Sequence, residues 1–237
     1  MLVLGLETST KRSSIALVDE NGVVASAALG VPRRHGEFVA PAIRFCLDQA
    51  GVGFDRVHGI AVGLGPGLYT GLRVGIATAQ SLAAARQLPA VGLCGLDVLA
   101  FRERYVRRLI CAAIDARRGE LYWAFYRSAP GGVQRIGEIE LGTAERLAAE
   151  IEEQGEECLV VGDGGLTAAA ELRAVGAEVS GPDNAWPDAE ELAELAVPRF
   201  IREETVTAVE LQPIYLRQAD ARIGWQERGR LRGGEAV

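Results

Sequence analysis

The 237-residue sequence lacks the long apolar runs of a membrane protein. Its opening apolar run ends at Glu7 after six residues and has no basic region before it, so it is too short for a signal peptide or a membrane span. No later run approaches the roughly 20 apolar residues that a span needs. We therefore expect a cytoplasmic protein with no membrane contact.

Metal-binding and disulfide-forming residues are also scarce. The two histidines, His35 and His58, are far apart, so they cannot form a two-histidine metal site at helical spacing. The four cysteines are scattered and form no C-x-x-C pair, which indicates free thiols rather than disulfides or a zinc site. From the scarce histidines and scattered cysteines we expect no bound metal. Because aromatic residues make up only 6% of the chain, we expect an aliphatic core.

Positive charge is in deficit, since 25 basic residues stand against 32 acidic ones and the formal net charge is −7. This balance argues against broad nucleic-acid binding by the chain alone, because neutralising phosphates needs clustered Lys and Arg. The exception is the C-terminal tail, which contains Arg217, Arg222, Arg228, Arg230 and Arg232. Such a tail is either simply solvated or contacts RNA or an acidic partner, and we favour the first interpretation.

The chain opens with a predicted three-stranded meander, at residues 2–7, 13–19 and 22–30. Asn21-Gly22 lies between the last two strands. This pair is a strong hairpin signal, because both residues accept the positive φ of a type I′ turn.

Apolar residues then recur at helical spacing. A helix is predicted at about 35–50, with Pro41 near its first turn, and another at 70–88, ended by Pro89. Buried strands at 57–64 and 91–93 flank the second helix, and a further helix is expected near 96–105.

The second half repeats this order of elements. Residues 109–115 end in Asp115 as residues 2–7 end in Glu7, and a hairpin, a helix, a strand at 158–162 and a glycine turn at Asp163-Gly164-Gly165 follow. A repeat of this kind indicates duplication and predicts the two-lobed α/β plan of the actin-like, or ribonuclease H-like, ATPase superfamily. We predict lobes at 1–104 and 105–237, with a last long helix at 188–203 that packs back toward the first lobe.

The segment from Gly65 to Gly75 is the most distinctive glycine-rich stretch. It is not a Walker A loop, because no lysine is present for the phosphates. We interpret it as a rigid turn into a helix, with Thr70 as N-cap. Gly71, Gly75 and Ala79 are four residues apart, so they predict a smooth ridge that another helix could approach closely, although packing within the lobe would explain it equally.

The acids at the ends of the two first strands begin small polar turns. In an ATPase of this plan, such turns handle magnesium and phosphates. Glu7-Thr8-Ser9-Thr10 forms the first turn, whereas the second, after Asp115, contains Arg117 and Arg118 where small residues would suit a phosphate. Two hairpin turns capped by acids explain these residues at least as well as nucleotide contact.

Together these residues resemble the TsaB family of bacterial proteins, also called YeaZ. The resemblance rests on the glycine-rich segment and on three ordered matches, at Asp115–Tyr122, at His35–Pro41 and at Pro213–Arg217. The signature residues are Gly65, Pro66, Gly67, Thr70, Gly71, Arg73, Gly75, Asp115, Arg117, Glu120 and Tyr122.

The resemblance implies a non-catalytic partner of TsaD, the related transferase that makes N6-threonylcarbamoyladenosine at position 37 of tRNAs reading ANN codons. It implies a larger assembly with TsaE, in which the partner subunits bind ATP or ADP and a metal ion, and indirect contact with tRNA. The metal-binding histidines of TsaD-like enzymes would fall on Gly95 and Leu99, which cannot bind a metal. TsaB relatives usually have Asp in the first turn, so Glu7, Thr8 and Ser9 leave a residual nucleotide contact open.

We predict that the helices at about 35–50 and 70–87 dock on TsaD and, without it, self-associate into a homodimer. The predicted interface consists of Phe38, Val39, Ala42, Ile43, Cys46, Leu47, Gly71, Val74, Gly75, Thr78 and Ala79. Three alternatives remain: an active actin-like ATPase or kinase, an M22-type metallopeptidase, and an interaction module unrelated to tRNA.

Overall fold

Two five-stranded sheets form the framework of the protein. The computed structural model describes residues 1–31 and 34–216. The strands of this part of the chain are β1 (Val3–Glu7), β2 (Ser13–Asp19), β3 (Gly22–Leu29), β4 (Gly59–Gly63), β5 (Ala90–Leu93), β6 (Leu109–Arg117), β7 (Glu120–Ala129), β8 (Gly132–Thr143), β9 (Cys158–Val161) and β10 (Glu178–Val179).

The two sheets have the same strand order. In the first sheet the order is β3-β2-β1-β4-β5, and in the second it is β8-β7-β6-β9-β10. In each, the first three strands in sequence pair antiparallel and the last two add in parallel. The two-lobed, duplicated α/β fold predicted from the sequence is therefore confirmed.

Helices cover both sheets. They are α1 (His35–Ala50), α2 (Tyr69–Arg86), α3 (Gly95–Arg102), α4 (Ala144–Gln154), α5 (Asp163–Thr167), α6 (Ala169–Ala174) and α7 (Ala189–Ile201). We call the first sheet with α1 and α2 the first lobe, and the second sheet with α4 to α6 the second lobe. The predicted division at residue 104 falls between α3 and β6.

Helix α7 follows the second lobe in sequence but packs on the first sheet. Leu192, Ala193, Ala196 and Phe200 join Val3 and other side chains of β1, β2, β4 and β5 in one buried cluster. Helices α1 and α2 cover the opposite face of the same sheet, where a second cluster contains residues of both helices. The first sheet is thus buried between helices from both halves of the chain.

Ion pairs join α3 to α7. Arg102 binds Glu191 at 2.8 Å and Arg104 binds Glu194 at 3.3 Å. Arg102 also donates to the backbone oxygen of Asp183, which precedes α7. Both arginines are partly buried, so these contacts fix the connection between the lobes more firmly than exposed pairs would.

Several local predictions need correction. Helix α2 begins at Tyr69, and its N-cap is Leu68 without a side-chain bond, so Thr70 is not the cap. At the first hairpin Asp19 pairs with Gly22 and only Gly22 has positive φ, so the turn is not type I′. Pro41 lies beyond the first turn of α1, because the helix already starts at His35.

The second glycine turn leads into two short helices, α5 and α6, rather than one. Strand β10, of two residues, is too short to be predicted from periodicity. The arginine-rich tail, including Arg217 of the third family match, lies outside the described residues. Within the described ranges, no helix combines the length and the apolar character needed to cross a membrane.

Candidate functional site

The glycine-rich segment packs against the turn that follows β1. A Cβ at Gly67 would overlap the carbonyl oxygen of Ser9, and a Cβ at Gly71 would overlap that of Thr8. A Cβ at Gly75 would overlap the Thr8 hydroxyl, which donates to the Gly71 carbonyl oxygen at 2.8 Å. The glycines therefore serve close packing inside the first lobe, the simpler of the two interpretations of the ridge.

Several polar groups of this turn are engaged within the protein. The Ser9 N–H donates to Glu7 Oε1 at 2.6 Å, and the Leu68 N–H donates to the Ser9 carbonyl oxygen at 2.6 Å. Phosphate binding at such a turn needs free, outward-pointing N–H groups. Glu7, Thr8, Ser9 and Thr10 are all buried, and the Ser9 N–H is already bonded, so it is not available to a phosphate.

Glu7 is a fully buried acid, and no salt bridge joins it to another described residue. Its Oε2 atom has no hydrogen-bond partner among the described residues, and neither has the nearby Ser9 hydroxyl. Burial raises the pKa of Glu7 to about 7, while hydrogen bonding from Ser9 opposes the shift and the charge of Asp188 adds to it. The side chain is therefore an acid that gains or loses its proton near neutral pH.

The rest of the turn anchors α7. Arg12 Nη2 binds Asp188 Oδ2 at 2.8 Å, and the Ser14 hydroxyl accepts a hydrogen bond from the Ala189 N–H at 2.9 Å. Asp188 is the residue before the first turn of α7, where a negative charge is favourable. These contacts, absent from the sequence-based prediction, connect residues more than 170 positions apart.

The matching turn of the second lobe projects instead of being packed over. Asp115 Oδ1 accepts from the Arg117 N–H at 2.8 Å, as Glu7 accepts from Ser9. Arg117, Arg118 and Gly119 all have positive φ, at 67°, 58° and 78°. For arginine this backbone conformation is strained. Glycines also pack closely in this lobe, but their contacts lie inside the strand rather than at the turn. A Cβ at Gly162 or Gly164 would overlap the backbone of Ala113, two residues before Asp115.

A cavity of about 680 Å³ lies between the two turns and the start of α2. Its lining includes Lys11 and Arg117, from opposite lobes, with His35, Tyr69 and Thr70. Arg117 pairs with Asp115 at 3.2 Å, and the charge of Lys11 acts on Asp163, so neither cation is without a nearby acid. His35 is buried, with its Nδ1 2.6 Å from the Ser13 hydroxyl, and burial lowers its pKa.

Gly95 and Leu99 are the positions where the resemblance would place the metal-binding histidines of TsaD-like enzymes, and they have mostly apolar neighbours. A Cβ at Gly95 would lie 3.6 Å from both Ile114 and Pro187 and 3.7 Å from the Ser9 hydroxyl, and Leu99 is buried against Gly162. Across residues 1–31 and 34–216, no cluster of three or more His, Cys, Asp or Glu side chains could hold a metal.

Most residues of the predicted partner interface do not reach the surface. Val39, Ala42, Ile43 and Cys46 of α1 belong to the core of the first lobe, as do Gly71, Gly75 and Ala79 of α2 by burial. An amphipathic helix turns its apolar face toward its own sheet first, and this explains the error. Phe38, Leu47, Val74 and Thr78 remain partly exposed, so the interface prediction stands for these alone.

The exposed side of α2 is a different stripe of small residues. Val74, Thr78, Ser81 and Ala85 are spaced by four, three and four positions and are exposed or partly exposed. Beside them, the C-terminal residues cross α2: Gln80 Nε2 donates to the Leu211 carbonyl oxygen at 3.0 Å. The rings of Tyr215 and Tyr69 stack at 6.0 Å, next to Arg73. No pattern in the sequence predicts this contact between residues 211–215 and α2.

The chain is similar to known proteins over most of its length. The family model described as "TsaD: tRNA N6-adenosine threonylcarbamoyltransferase" matches residues 11–225. A protein of Escherichia coli (strain K12), named tRNA threonylcarbamoyladenosine biosynthesis protein TsaB, is 30% identical over 231 residues, covering 96% of this chain and 98% of that protein.

Solved structures agree with the fold. YeaZ from Pseudomonas aeruginosa is similar with a TM-score of 0.79 and 33% identity, over 91% of this chain and 99% of that one. The activator of 2-hydroxyisocaproyl-CoA dehydratase from Clostridium difficile, solved with bound ADPNP, has a TM-score of 0.53 and 11% identity, over 86% and 97%. The second likeness concerns the fold alone, which is the actin-like two-lobed fold.

Proposed function

This chain belongs to the TsaB family of tRNA threonylcarbamoyladenosine biosynthesis proteins, and we propose that it is the non-catalytic partner of TsaD in that modification. In this role it supports the threonylcarbamoyl transfer to adenosine 37 of tRNAs reading ANN codons, in the cytoplasm. TsaD and TsaE bind the ATP or ADP and the metal ion of the assembly, and tRNA is contacted through the complex.

The packing of the turn after β1 carries the proposal of a non-catalytic role. In an active ATPase of this fold this turn would face the phosphates. Here α2 lies directly on it, and the Ser9 N–H and the Thr8 hydroxyl are bonded inside the protein. A catalytic site that needs this turn would have to break these contacts, so the arrangement favours a scaffold over an enzyme.

The stripe on α2 supports docking of a partner helix. Small side chains at Val74, Thr78, Ser81 and Ala85 let the backbone of another helix come close, as in the tightest helix pairs. Leu47 of α1, partly exposed and packed at the edge of the first core, adds apolar area beside α2. We assign TsaD to this surface because TsaD is the related, similarly folded protein of the same modification.

Complementation tests the proposal. A strain depleted of its own TsaB is expected to regain threonylcarbamoyladenosine in tRNA when it expresses this chain. Ser81→Trp is expected to abolish both this rescue and co-purification with TsaD, because the indole blocks close helix approach. Ala174→Trp, at an exposed position of α6 in the second lobe, is the matched control and should behave as wild type. Retention of TsaD by Ser81→Trp would contradict the docking surface.

Nucleotide binding separates this role from its alternatives. Calorimetry of the isolated chain with ATP and magnesium is expected to give no tight binding and no turnover. Tight binding with hydrolysis would favour an active actin-like ATPase or kinase, and stoichiometric bound metal would favour an M22-type peptidase. If the chain bound TsaD normally but did not restore threonylcarbamoyladenosine in the complementation test, it would instead be an interaction module of another process.

A further inference from the structure

The C-terminal tail begins beside α2 and the cavity between the lobes. The described chain ends at Leu216, and the ring of Tyr215, just before it, stacks on that of Tyr69 with the ring centroids 6.0 Å apart. Tyr69 is the first residue of α2 and also lines the cavity between the two turns. The tail therefore starts at the edge of that cavity.

Cations are concentrated on both sides of these two tyrosines. The cavity between the turns has Lys11 and Arg117 in its lining. A second cavity, of about 310 Å³, lies between α2 and residues 211–215, and its lining includes Arg73. None of the described residues that line the two cavities is Asp or Glu. This part of the surface is thus locally positive, although the chain has a net charge of −7.

Arg73 and the two tyrosines connect the cavities. The Arg73 guanidinium lies over the Tyr69 ring, 4.2 Å from its centroid, and forms no ion pair within residues 1–31 and 34–216. Tyr69 and Tyr215 are 51% and 52% exposed, so about half of each residue remains open to solvent. Exposed aromatic rings beside a guanidinium form the kind of platform on which proteins stack unpaired bases.

The tail continues the same charge. Residues 217–237 contain five arginines and three acids, whereas the rest of the chain has 20 basic and 29 acidic residues. The tail also contains Trp225. Arginines interleaved with an aromatic residue are typical of segments that bind RNA. The sequence alone favours a solvated tail, but a start beside three cations and two exposed tyrosines favours RNA contact.

We propose that Lys11, Arg73, Arg117, Tyr69 and Tyr215, here called the basic strip, bind an unpaired strand of RNA together with the tail. The strip cations and the tail arginines contact the phosphates, and bases stack on the tyrosines. The identity of the RNA rests on the proposed function, under which the strand belongs to tRNA. The chain then contacts tRNA directly as well as through the complex.

The basic strip lies beside the surface assigned to TsaD and does not coincide with it. Arg73, Ala77 and Gln80 line the second cavity and share one face of α2, because they are spaced by four and three positions. The stripe that begins at Val74 occupies the neighbouring face. Because the two faces adjoin, RNA on the strip and TsaD on the stripe can be held side by side.

Fluorescence anisotropy of the full-length chain with a labelled anticodon stem-loop of a tRNA reading ANN codons tests the proposal. At low salt we expect a Kd on the order of 10 μM, because few phosphates are neutralised on an acidic chain. Arg73→Ala should weaken binding several-fold and make the slope of log K against log salt shallower by about 0.7, the loss of one phosphate contact on a single strand. Arg86→Ala, at an exposed arginine in the last turn of α2, should bind as wild type does.

The stacking contact has a different signature. Tyr215→Ala should weaken binding about fivefold or more but leave the salt slope unchanged, because stacking releases no counterions. Tyr105→Ala, at an 84% exposed tyrosine away from the strip, is the matched control. Replacing Arg228, Arg230 and Arg232 by Ala in the full-length chain should lower both the affinity and the slope.

A chain that does not bind the stem-loop at low salt would overturn the proposal. So would equal binding by wild type, Arg73→Ala and Tyr215→Ala. If Arg73→Ala lost co-purification with TsaD and bound RNA normally, the strip would instead contact an acidic segment of a protein. The anisotropy experiment contains no TsaD, so a failure of this inference is distinguishable from a failure of wild type to restore threonylcarbamoyladenosine in the complementation test.

Discussion

The two lobes share one strand order but treat the turn after their first strand in opposite ways. In the first lobe, Gly67 and Gly71 press on Thr8 and Ser9, beyond the end of β1, and the turn is buried. In the second, Gly162 and Gly164 press on Ala113, inside β6, and the turn after Asp115 projects into the cleft. The first turn is thus covered by the segment that leads into α2, whereas no glycine contact reaches the exposed turn after Asp115.

This difference changes which groups each turn presents to solvent. In the sealed first turn, the Ser9 N–H and the Thr8 hydroxyl are bonded within the protein, and the outer sides of α1 and α2 are the exposed part of the lobe. The second turn stays accessible, but it presents two arginines in strained backbone conformations rather than a row of free N–H groups. The first turn is therefore covered, whereas the second is exposed but strained.

The largest expected effect comes from breaking the glycine contact. Gly71→Ala should lower the free energy of unfolding by about 3 kcal/mol, because its Cβ would collide with a backbone carbonyl that cannot move aside. Gly164→Ala should cost about 2 kcal/mol, since its nearest atom is 2.8 Å away. Urea unfolding measures both, with Gly36→Ala as control, where no atom lies within 4 Å. Equal stabilities of Gly71→Ala and Gly36→Ala would refute the sealed-turn account.

The buried acid of the first turn should make stability depend on pH. Because the pKa of Glu7 is about 7 in the folded protein and about 4.5 in the unfolded chain, the folded form holds a proton that the unfolded form releases. Stability should therefore fall as pH rises from about 4.5 through 7. Glu7→Gln should be more stable than wild type by about 3 kcal/mol at pH 8, and equal to it near pH 4.

Thermal unfolding at a series of pH values measures this effect. Glu153→Gln, an exposed acid of α4, serves as control and should leave the pH profile unchanged. If the difference between Glu7→Gln and wild type were the same at pH 4 and pH 8, the titration of Glu7 would not be its cause.

The smallest effect should come from relieving the strained turn of the second lobe. Arg118 and Gly119 occupy the two central positions of the β6–β7 turn with positive φ, where Asn-Gly is favoured. Arg118→Asn should raise stability by about 0.5 kcal/mol. Arg44→Asn, in the ordinary helical conformation of α1, should instead lower it by a few tenths of a kcal/mol. A loss of stability in Arg118→Asn would show that interactions of the arginine outweigh the strain.

The order of strands and helices could be predicted because it depends on local signals. Alternating and continuous apolar runs, Gly51, Pro89 and the repeated acid-ended strand mark elements wherever the chain folds. The repeat itself fixed the topology, since two similar halves must form similar sheets.

The site was harder to predict, because its contacts join distant residues. Helical spacing identified Gly71, Gly75 and Ala79 as one face, but it cannot tell whether a face meets the Thr8 turn or another molecule. The same holds for Val39 and Ile43, whose apolar side could serve a core or a partner. The pair of Arg12 and Asp188 has no signal in the sequence, because only the path of α7 across the first sheet brings them together.

That path of α7 sets the order in which the protein can mature during synthesis. The inner face of the first sheet, with Val3, Ala16 and Ala61, packs against the α7 side chains Leu192 and Phe200, so it gains this cover only after they have been added. All five strands of this sheet precede residue 94, but α7, which covers this face, is synthesised only after residue 188. The first half to be made is therefore the last to be finished, and the second lobe, complete in itself by residue 179, can fold ahead of it.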